Sequence, residues 1–136
     1  NGNNLHSGPD FYHARMWKLV EISDDAVKFH LDSPDGDQGF PGNAIIRVTY
    51  SLDQQGGLHI VYDGTCDRDT VFNMTNHSYF NLTGGRTDCR GHVLTLQANR
   101  FAETRREADP ICTGRALPVE GTPLDLRGGV RVGCWR

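Results

Sequence analysis

The chain has 136 residues, of which 37% are hydrophobic and 23% are charged, and these proportions fit one globular domain rather than a disordered or fibrous polymer. Its 14 Lys and Arg against 17 Asp and Glu give a net charge of -3 without a basic block, which argues against nucleic acid and anionic membrane as partners. No apolar run approaches the ~18–20 residues of a membrane-spanning helix, and no signal-like start is visible. The expected location is cytoplasmic.

Short segments that alternate apolar and polar residues run through the chain between turns rich in glycine and proline, a pattern typical of antiparallel β-structure. No stretch of ten or more residues carries a helical apolar stripe with caps at both ends. The sequence therefore predicts an all-β fold, built as a sandwich of antiparallel sheets. The predicted strands are Met16–Ile22, Ala26–Leu31, Ala44–Leu52, Leu58–Tyr62, Thr70–Met74 and Val93–Ala98.

The strand predicted over residues 44–52 shows this alternation most clearly. Its even-numbered residues from 46 onward are apolar or aromatic, and they would share one face of a sheet because side chains alternate along a strand. That face is expected to be buried, and it consists of Ile46, Val48, Tyr50 and Leu52. Turn-forming residues predict two antiparallel hairpins. Residues 23–25 would join the first two predicted strands, and residues 54–57 would join the third and the fourth.

Two features that could suggest a metal site fail closer inspection. The acidic, glycine-rich residues 33–42 are not a calcium loop, because Asn43 stands where an EF-hand loop counted from Asp32 has its Glu. The four cysteines share no surrounding pattern and form no Cys-x-x-Cys pair, so free thiols are expected. These cysteines are Cys66, Cys89, Cys112 and Cys134. The sequence predicts a turn-rich connection at 33–42, and neither a metal nor another cofactor.

One of the six histidines lies in an unusual setting. His30, His59 and His92 lie in or beside alternating segments, where a histidine is ordinarily a surface or hydrogen-bonded residue. His77, by contrast, is surrounded by amide, hydroxyl and aromatic side chains within residues 73–82. Amides and hydroxyls bind sugar hydroxyls, aromatic rings cover the C–H face of a sugar, and an imidazole titrates near neutral pH. Residues 73–82 are therefore a candidate polar functional site.

Residues 76–82, Asn-His-Ser-Tyr-Phe-Asn-Leu, resemble the signature of the aldose 1-epimerases, also called galactose mutarotases. Further phrases are similar to those of the family. They occupy residues 5–8 (Leu-His-Ser-Gly), 33–42 (Ser-Pro-Asp-Gly-Asp-Gln-Gly-Phe-Pro-Gly), 108–114 and 119–127. The resemblance implies a galactose mutarotase-like β-supersandwich, of which residues 1–136 would be a partial domain that is incomplete at both ends.

The resemblance also implies a reaction and a set of site residues. Family members interconvert the α and β anomers of free aldohexoses such as glucose and galactose, so the expected partner is a small-molecule aldohexose. Anomer exchange delivers a proton to the ring oxygen and removes one from the C1 hydroxyl, which one acid and one base can achieve. By resemblance, His77 matches the catalytic general acid, His6 matches a substrate-binding histidine, and Ser78 and Tyr79 match neighbouring substrate-binding positions.

This chain also departs from the family pattern near its start. Ser7 replaces the first Gly after His6, while Phe11, His13 and Ala14 stand where many members have Gly, Asp and Lys. These differences are interpreted as tolerated variation in a loop. The family's Asn-Arg pair, which normally precedes the Leu-His-Gly-Gly phrase, is not present ahead of residue 5.

A second departure concerns the base. The family's general base is a Glu far towards the C-terminus, beyond residue 136 of this chain, and the resemblance assigns that role to none of Glu103, Glu107 or Glu120. The sequence therefore predicts an internal segment of an aldose 1-epimerase that carries the acid but not the base. Two alternatives stay open at this point, namely a non-catalytic carbohydrate-binding module and an inactive truncated product.

Overall fold

The computed structural model describes residues 6–105 and 111–134, without the side chain of Cys134. Every strand pairing within this part is antiparallel, and its helical pieces are four single 3-10 turns. The all-β prediction is therefore confirmed. The chain divides into two compact units, residues 1–77 and residues 78–136.

The first unit is built on one four-stranded sheet in which consecutive strands are neighbours. Its strands are β1 (Lys18–Ile22), β2 (Ala26–Ser33), β3 (Ala44–Leu52) and β4 (Leu58–Cys66). Both predicted hairpins are present. The β1–β2 turn has a bond from Ser23 N to Ala26 O of 2.8 Å, and the β3–β4 turn has one from Asp53 N to Gly57 O of 2.9 Å.

The core of this unit lies on the predicted face of β3. Ile46 is 1% exposed and Val48 is 5% exposed, because alternate side chains of a strand point to the same side of its sheet. Leu52, predicted on that buried face, is instead 55% exposed, since it lies at the end of the strand opposite Leu58. Tyr12 and Leu31 complete the buried cluster around Ile46, with two half-buried side chains packed against it. Those two are Trp17 and Met74.

The connection between β2 and β3 is turn-rich, as predicted, and includes the 3-10 turn Asp37–Gly39. Gly42 is buried there with a φ of 86°, a conformation that glycine adopts without steric cost. A Cβ at this position would also lie 2.5 Å from the Sγ of Cys66. Asn43 N and Asn43 Nδ2 each donate to the Asp67 carboxylate at 2.7 Å, which fastens the connection to the end of β4.

The predicted strand Thr70–Met74 is wrong, because these residues make no ladder with another strand in the described part of the chain. Their alternation instead serves side-chain packing. Phe72 lies over Gly64 of β4, where an added Cβ would be 3.0 Å from its ring, and Met74 packs on the core cluster. The alternating pattern therefore accompanies side-chain contacts here rather than a backbone ladder.

The second unit contains two small sheets. Strand β5 (Val93–Leu94) pairs with β8 (Val130–Arg131), and β6 (Arg100–Thr104) pairs with β7 (Cys112–Pro118). Only the first two residues of the predicted strand Val93–Ala98 are therefore paired as a strand. Strands β6 and β7 are not predicted from the sequence, because their apolar residues do not alternate with polar ones and β7 includes Gly114 and Pro118, which disfavour strands.

Candidate functional site

The two histidines matched to the acid and to the substrate-binding position lie together in the first unit. The ring centroids of His6 and His77 are 6.1 Å apart, with an angle of 73° between the ring planes. Both residues are exposed, so a small molecule can reach their rings. Two positions far apart in the sequence thus present imidazole groups to the same region of the surface.

The segment that leads to His77 is held against β4. Tyr62 donates a hydrogen bond from its hydroxyl to the Thr75 backbone oxygen at 3.0 Å, and burial raises the pKa of Tyr62. A cavity of about 300 Å³ lies between this segment and the sheet, with Ile46, Phe72 and Met74 in its wall. These contacts fix the position of the backbone that leads into His77.

His6 belongs to an aromatic group formed by its own loop. The Phe11 ring meets the His6 ring edge to face, with centroids 6.3 Å apart. His13 in turn stacks on Phe11, with centroids 5.0 Å apart and planes 12° from parallel. Sequence reasoning missed this contact because it interpreted Phe11 and His13 as loop variation. The sequence feature that could have indicated this contact is the closeness of the two ring-bearing residues to His6, since both lie within eight residues of it.

The loop that carries His6 rests on an ion pair near the β2–β3 connection. Arg15 donates two hydrogen bonds to the Asp37 carboxylate, at 2.6 and 2.8 Å. The two side chains are only 17% and 11% exposed, and the hydrogen bonds from Arg15 hold the pKa of Asp37 well below its usual range. No sequence signal marks this pair, because its members are 22 residues apart and lie in separate loops.

Ser78 and Tyr79 are the first residues of the second unit, and Tyr79 is 89% exposed. Their assignment to the sugar site stays a prediction. In the same unit, Glu103 on β6 accepts a hydrogen bond from the Thr113 hydroxyl at 2.7 Å, while Glu120 is exposed in the turn after β7. Glu107 lies outside the described residues.

The remaining predicted histidines are found in ordinary surroundings. His30 Nε2 lies 2.6 Å from an Asp32 carboxylate oxygen, and His59 Nε2 lies 2.8 Å from one of Asp53. Both are hydrogen-bonded, as the sequence predicts. His92 differs from that prediction, because it is half-buried and its Nε2 has no hydrogen-bond partner among the described residues.

Among the side chains that the structure describes there is neither a disulfide nor a group of possible metal ligands. Cys66, Cys89 and Cys112 are free thiols, as predicted, and the side chain of Cys134 lies outside the described residues. In residues 6–105 and 111–134, no three His, Cys, Asp or Glu side chains group as metal ligands would. The same residues contain no helix with the length and apolar character needed to cross a bilayer.

A family model described as aldose 1-epimerase matches residues 1–133 of the chain. Aldose 1-epimerase of Escherichia coli (strain K12) is 44% identical over 92% of this chain, which spans 36% of that protein. Galactose mutarotase of Rattus norvegicus is 39% identical over 96% of this chain, which spans 37% of that protein. The chain thus covers little more than a third of these relatives.

Solved structures agree with the sequence comparisons. The aldose epimerase homologue from C. elegans superimposes with a TM-score of 0.82 at 34% identity, covering 94% of this chain and 38% of that one. Galactose 1-epimerase from Lactobacillus acidophilus NCFM superimposes with a TM-score of 0.79 at 27% identity, covering 96% of this chain and 38% of that one. The strand arrangement described above is thus the one found in these proteins.

Proposed function

Because the chain belongs to the aldose 1-epimerase family, we propose that the full-length protein interconverts the α and β anomers of free aldohexoses. Full-length means this chain with any residues that its gene places on either side. The observation that carries the proposal is the approach of His6 and His77 to 6.1 Å on an accessible surface. An imidazole pair that a sugar can reach suits proton transfer to a hydroxylated ring.

In the proposed mechanism His77 is the general acid. It gives a proton to the ring oxygen while a base removes the proton from the C1 hydroxyl, and the bond between C1 and the ring oxygen breaks. The open aldehyde turns about the C1–C2 bond, and the reverse proton transfers close the ring on the other face of C1. An imidazole can give and regain this proton near neutral pH.

The other site residues are proposed to bind rather than to transfer protons. His6 holds the sugar through a hydroxyl hydrogen bond, and Ser78 and Tyr79 supply neighbouring contacts. The base is assigned to none of Glu103, Glu107 and Glu120. The substrate is an aldohexose, and no metal or cofactor enters this mechanism. A cytoplasmic location is proposed as well, and the three free thiols support it, since reducing compartments keep thiols unpaired.

Polarimetry of freshly dissolved α-glucose and α-galactose tests the proposal. The full-length protein is expected to bring the optical rotation to equilibrium faster than buffer alone, in proportion to its concentration. Binding of either sugar without faster equilibration would contradict the proposal and favour a carbohydrate-binding module instead.

The 136-residue chain by itself provides a second arm of the same assay. Without a base it is expected to leave the rate at the buffer value. If it accelerates equilibration and His77→Asn removes the gain, a carboxylate within the chain must serve as base. The candidates would then be Glu103, Glu107 and Glu120.

A further inference from the structure

The backbone of the His6 loop has an uncommon conformation. His6 has a φ of 53° and Ser7 a φ of 67°, and both carry side chains. Gly8 follows with a φ of 98°. Left-handed backbone is costly for residues other than glycine, and it persists only where surrounding contacts hold it. The orientation of His6 towards His77 therefore depends on whatever holds residues 6–8.

Several contacts hold this loop. Ser7 Oγ accepts a hydrogen bond from the Tyr12 backbone N–H at 2.9 Å. Asp10 donates its backbone N–H to the Gln38 side-chain oxygen at 2.9 Å. Gly8 lies so close to Gln38 that an added Cβ would be 2.6 Å from the same oxygen. The loop is thereby fixed both to itself and to the connection between β2 and β3.

These contacts converge on one carboxylate. Asp37 accepts two hydrogen bonds from Arg15, one from Gln38 Nε2 at 3.1 Å and one from the Ser33 hydroxyl at 2.7 Å. Since Ser33 has only one hydroxyl proton, Tyr12 must be the donor in the 2.9 Å bond between the Tyr12 and Ser33 hydroxyls. Asp37 thus orders Arg15 and Gln38 directly and Tyr12 through Ser33.

We propose that Asp37 is a positioning residue, which acts through Arg15, Gln38 and Tyr12 to hold the His6 loop so that His6 faces His77. This inference rests on the proposed role of His6 in substrate binding. A charged carboxylate suits the task because it accepts all four hydrogen bonds at once. An amide of the same shape offers a donor where one of these acceptors is needed and lacks the charge that Arg15 requires.

The first test measures geometry without any turnover. In the full-length protein labelled at histidine, the wild type should show a nuclear Overhauser effect between the His6 and His77 rings, whose centroids lie 6.1 Å apart. Asp37→Asn should abolish it. Asp32→Asn is the matched control, because this carboxylate is 53% exposed and bonds Lys18 on the sheet, and it should leave the effect intact. A persistent effect in folded Asp37→Asn would overturn the inference, whether or not the protein is an epimerase.

The second test is a double-mutant cycle followed by polarimetry. Asp37→Asn should raise KM for α-galactose about tenfold while kcat changes less than about threefold, because His6 binds substrate rather than transferring its proton. In a His6→Asn background the same change should have little further effect on KM. Effects that multiply in the double mutant would show that Asp37 acts independently of His6, and would overturn the inference.

Should Asp37→Asn fail to fold, Arg15→Lys takes its place in both tests. Lysine keeps the positive charge but cannot make the paired contact with the carboxylate. It should weaken the ring-to-ring effect and raise KM in the same direction by a smaller factor. Unchanged values of both quantities in folded Arg15→Lys would overturn the inference as well.

Discussion

The two units of the chain use different means to order their residues. In the first, the long β3 is paired on both sides, buries Ile46 at 1% exposure, and is accompanied by an ion pair whose members are 17% and 11% exposed. In the second, the sheets have two strands each, and the Arg127–Asp125 pair is 37% and 28% exposed. The histidine pair is therefore ordered by the first unit's own core and buried polar contacts.

Ile46→Ala should show the difference between the two units most clearly, because it should destabilise the first unit and not the second. Removing a fully buried side chain of this size costs about 2–5 kcal/mol, and amide hydrogen exchange in β2 and β3 should quicken accordingly. Amides of β6 and β7 should keep their protection, because they belong to the other unit. Val93→Ala, at a residue 65% exposed, is the control with a small effect. Equal loss of protection in both units would show that the core around Ile46 stabilises both units and not the first alone.

The half-buried Arg15–Asp37 ion pair should stabilise the fold more than an exposed one does. Asp37→Asn is expected to lower the free energy of unfolding by about 1.5–3 kcal/mol, since hydrogen bonds to a half-buried charge are lost. Asp32→Asn removes a 2.7 Å contact with Lys18 whose side chains are 73% and 53% exposed, and should cost clearly less, because exposed ion pairs contribute little to stability. Urea unfolding of the 136-residue chain measures both. Similar costs for the two variants would refute the distinction.

Lowering the pH should weaken the ion pair between Arg15 and Asp37. The Arg15 hydrogen bonds depress the pKa of Asp37 in the folded state, so its stabilisation is complete above the unfolded value of about 3.9 and is lost as the pH falls below it. Asp53 and Asp67 also have lowered pKa values, through His59 and Asn43, and act in the same direction. As the pH falls from about 5 to about 3, the wild type should lose more stability than Asp37→Asn. Parallel curves would contradict this account.

The smallest effect is expected in the second unit. Arg127→Gln removes contacts of 2.6 and 2.8 Å to Asp125 and one of 3.1 Å to Asn99. Because the pair is partly exposed, the loss of stability should be small. It is measured as faster exchange of the Leu96 amide, which bonds Leu126 O at 3.2 Å. Arg90→Gln, at a more exposed pair with Asp88, serves as control. A loss as large as that expected for Asp37→Asn would show that the second unit also depends on a single ion pair.

The sequence predicts those strands in which apolar and polar residues alternate, and those hairpins whose turns contain turn-forming residues. Both ends of strand β3 agree with the prediction, because its apolar residues recur at every second position. Strands β6 and β7 escape prediction because their apolar residues do not alternate with polar ones, which leaves no periodic signal. The segment 70–74 alternates like a strand, yet its partners are side chains of β4 rather than a backbone ladder. Local alternation therefore does not by itself establish a backbone ladder.

The candidate site is predicted only in part. Family resemblance selects His6 and His77, and the structure places them together, although neither spacing nor composition indicates their contact. Arg15 and Asp37 cannot be identified as a pair, because an ion pair between two loops has no sequence pattern. Phe11 is interpreted from the sequence as loop variation, and its ring contact depends on the fold of the loop.

The account depends above all on His77 as the source of the proton for ring opening, and polarimetry of the full-length His77→Asn variant is its decisive test. Asparagine keeps a polar side chain without a titrating proton, and His77 is exposed, so folding should be preserved. The account predicts that kcat for α-galactose falls by about 10²–10⁴-fold, the usual contribution of general acid catalysis, with KM nearly unchanged. A variant that equilibrates the anomers at the wild-type kcat would contradict it.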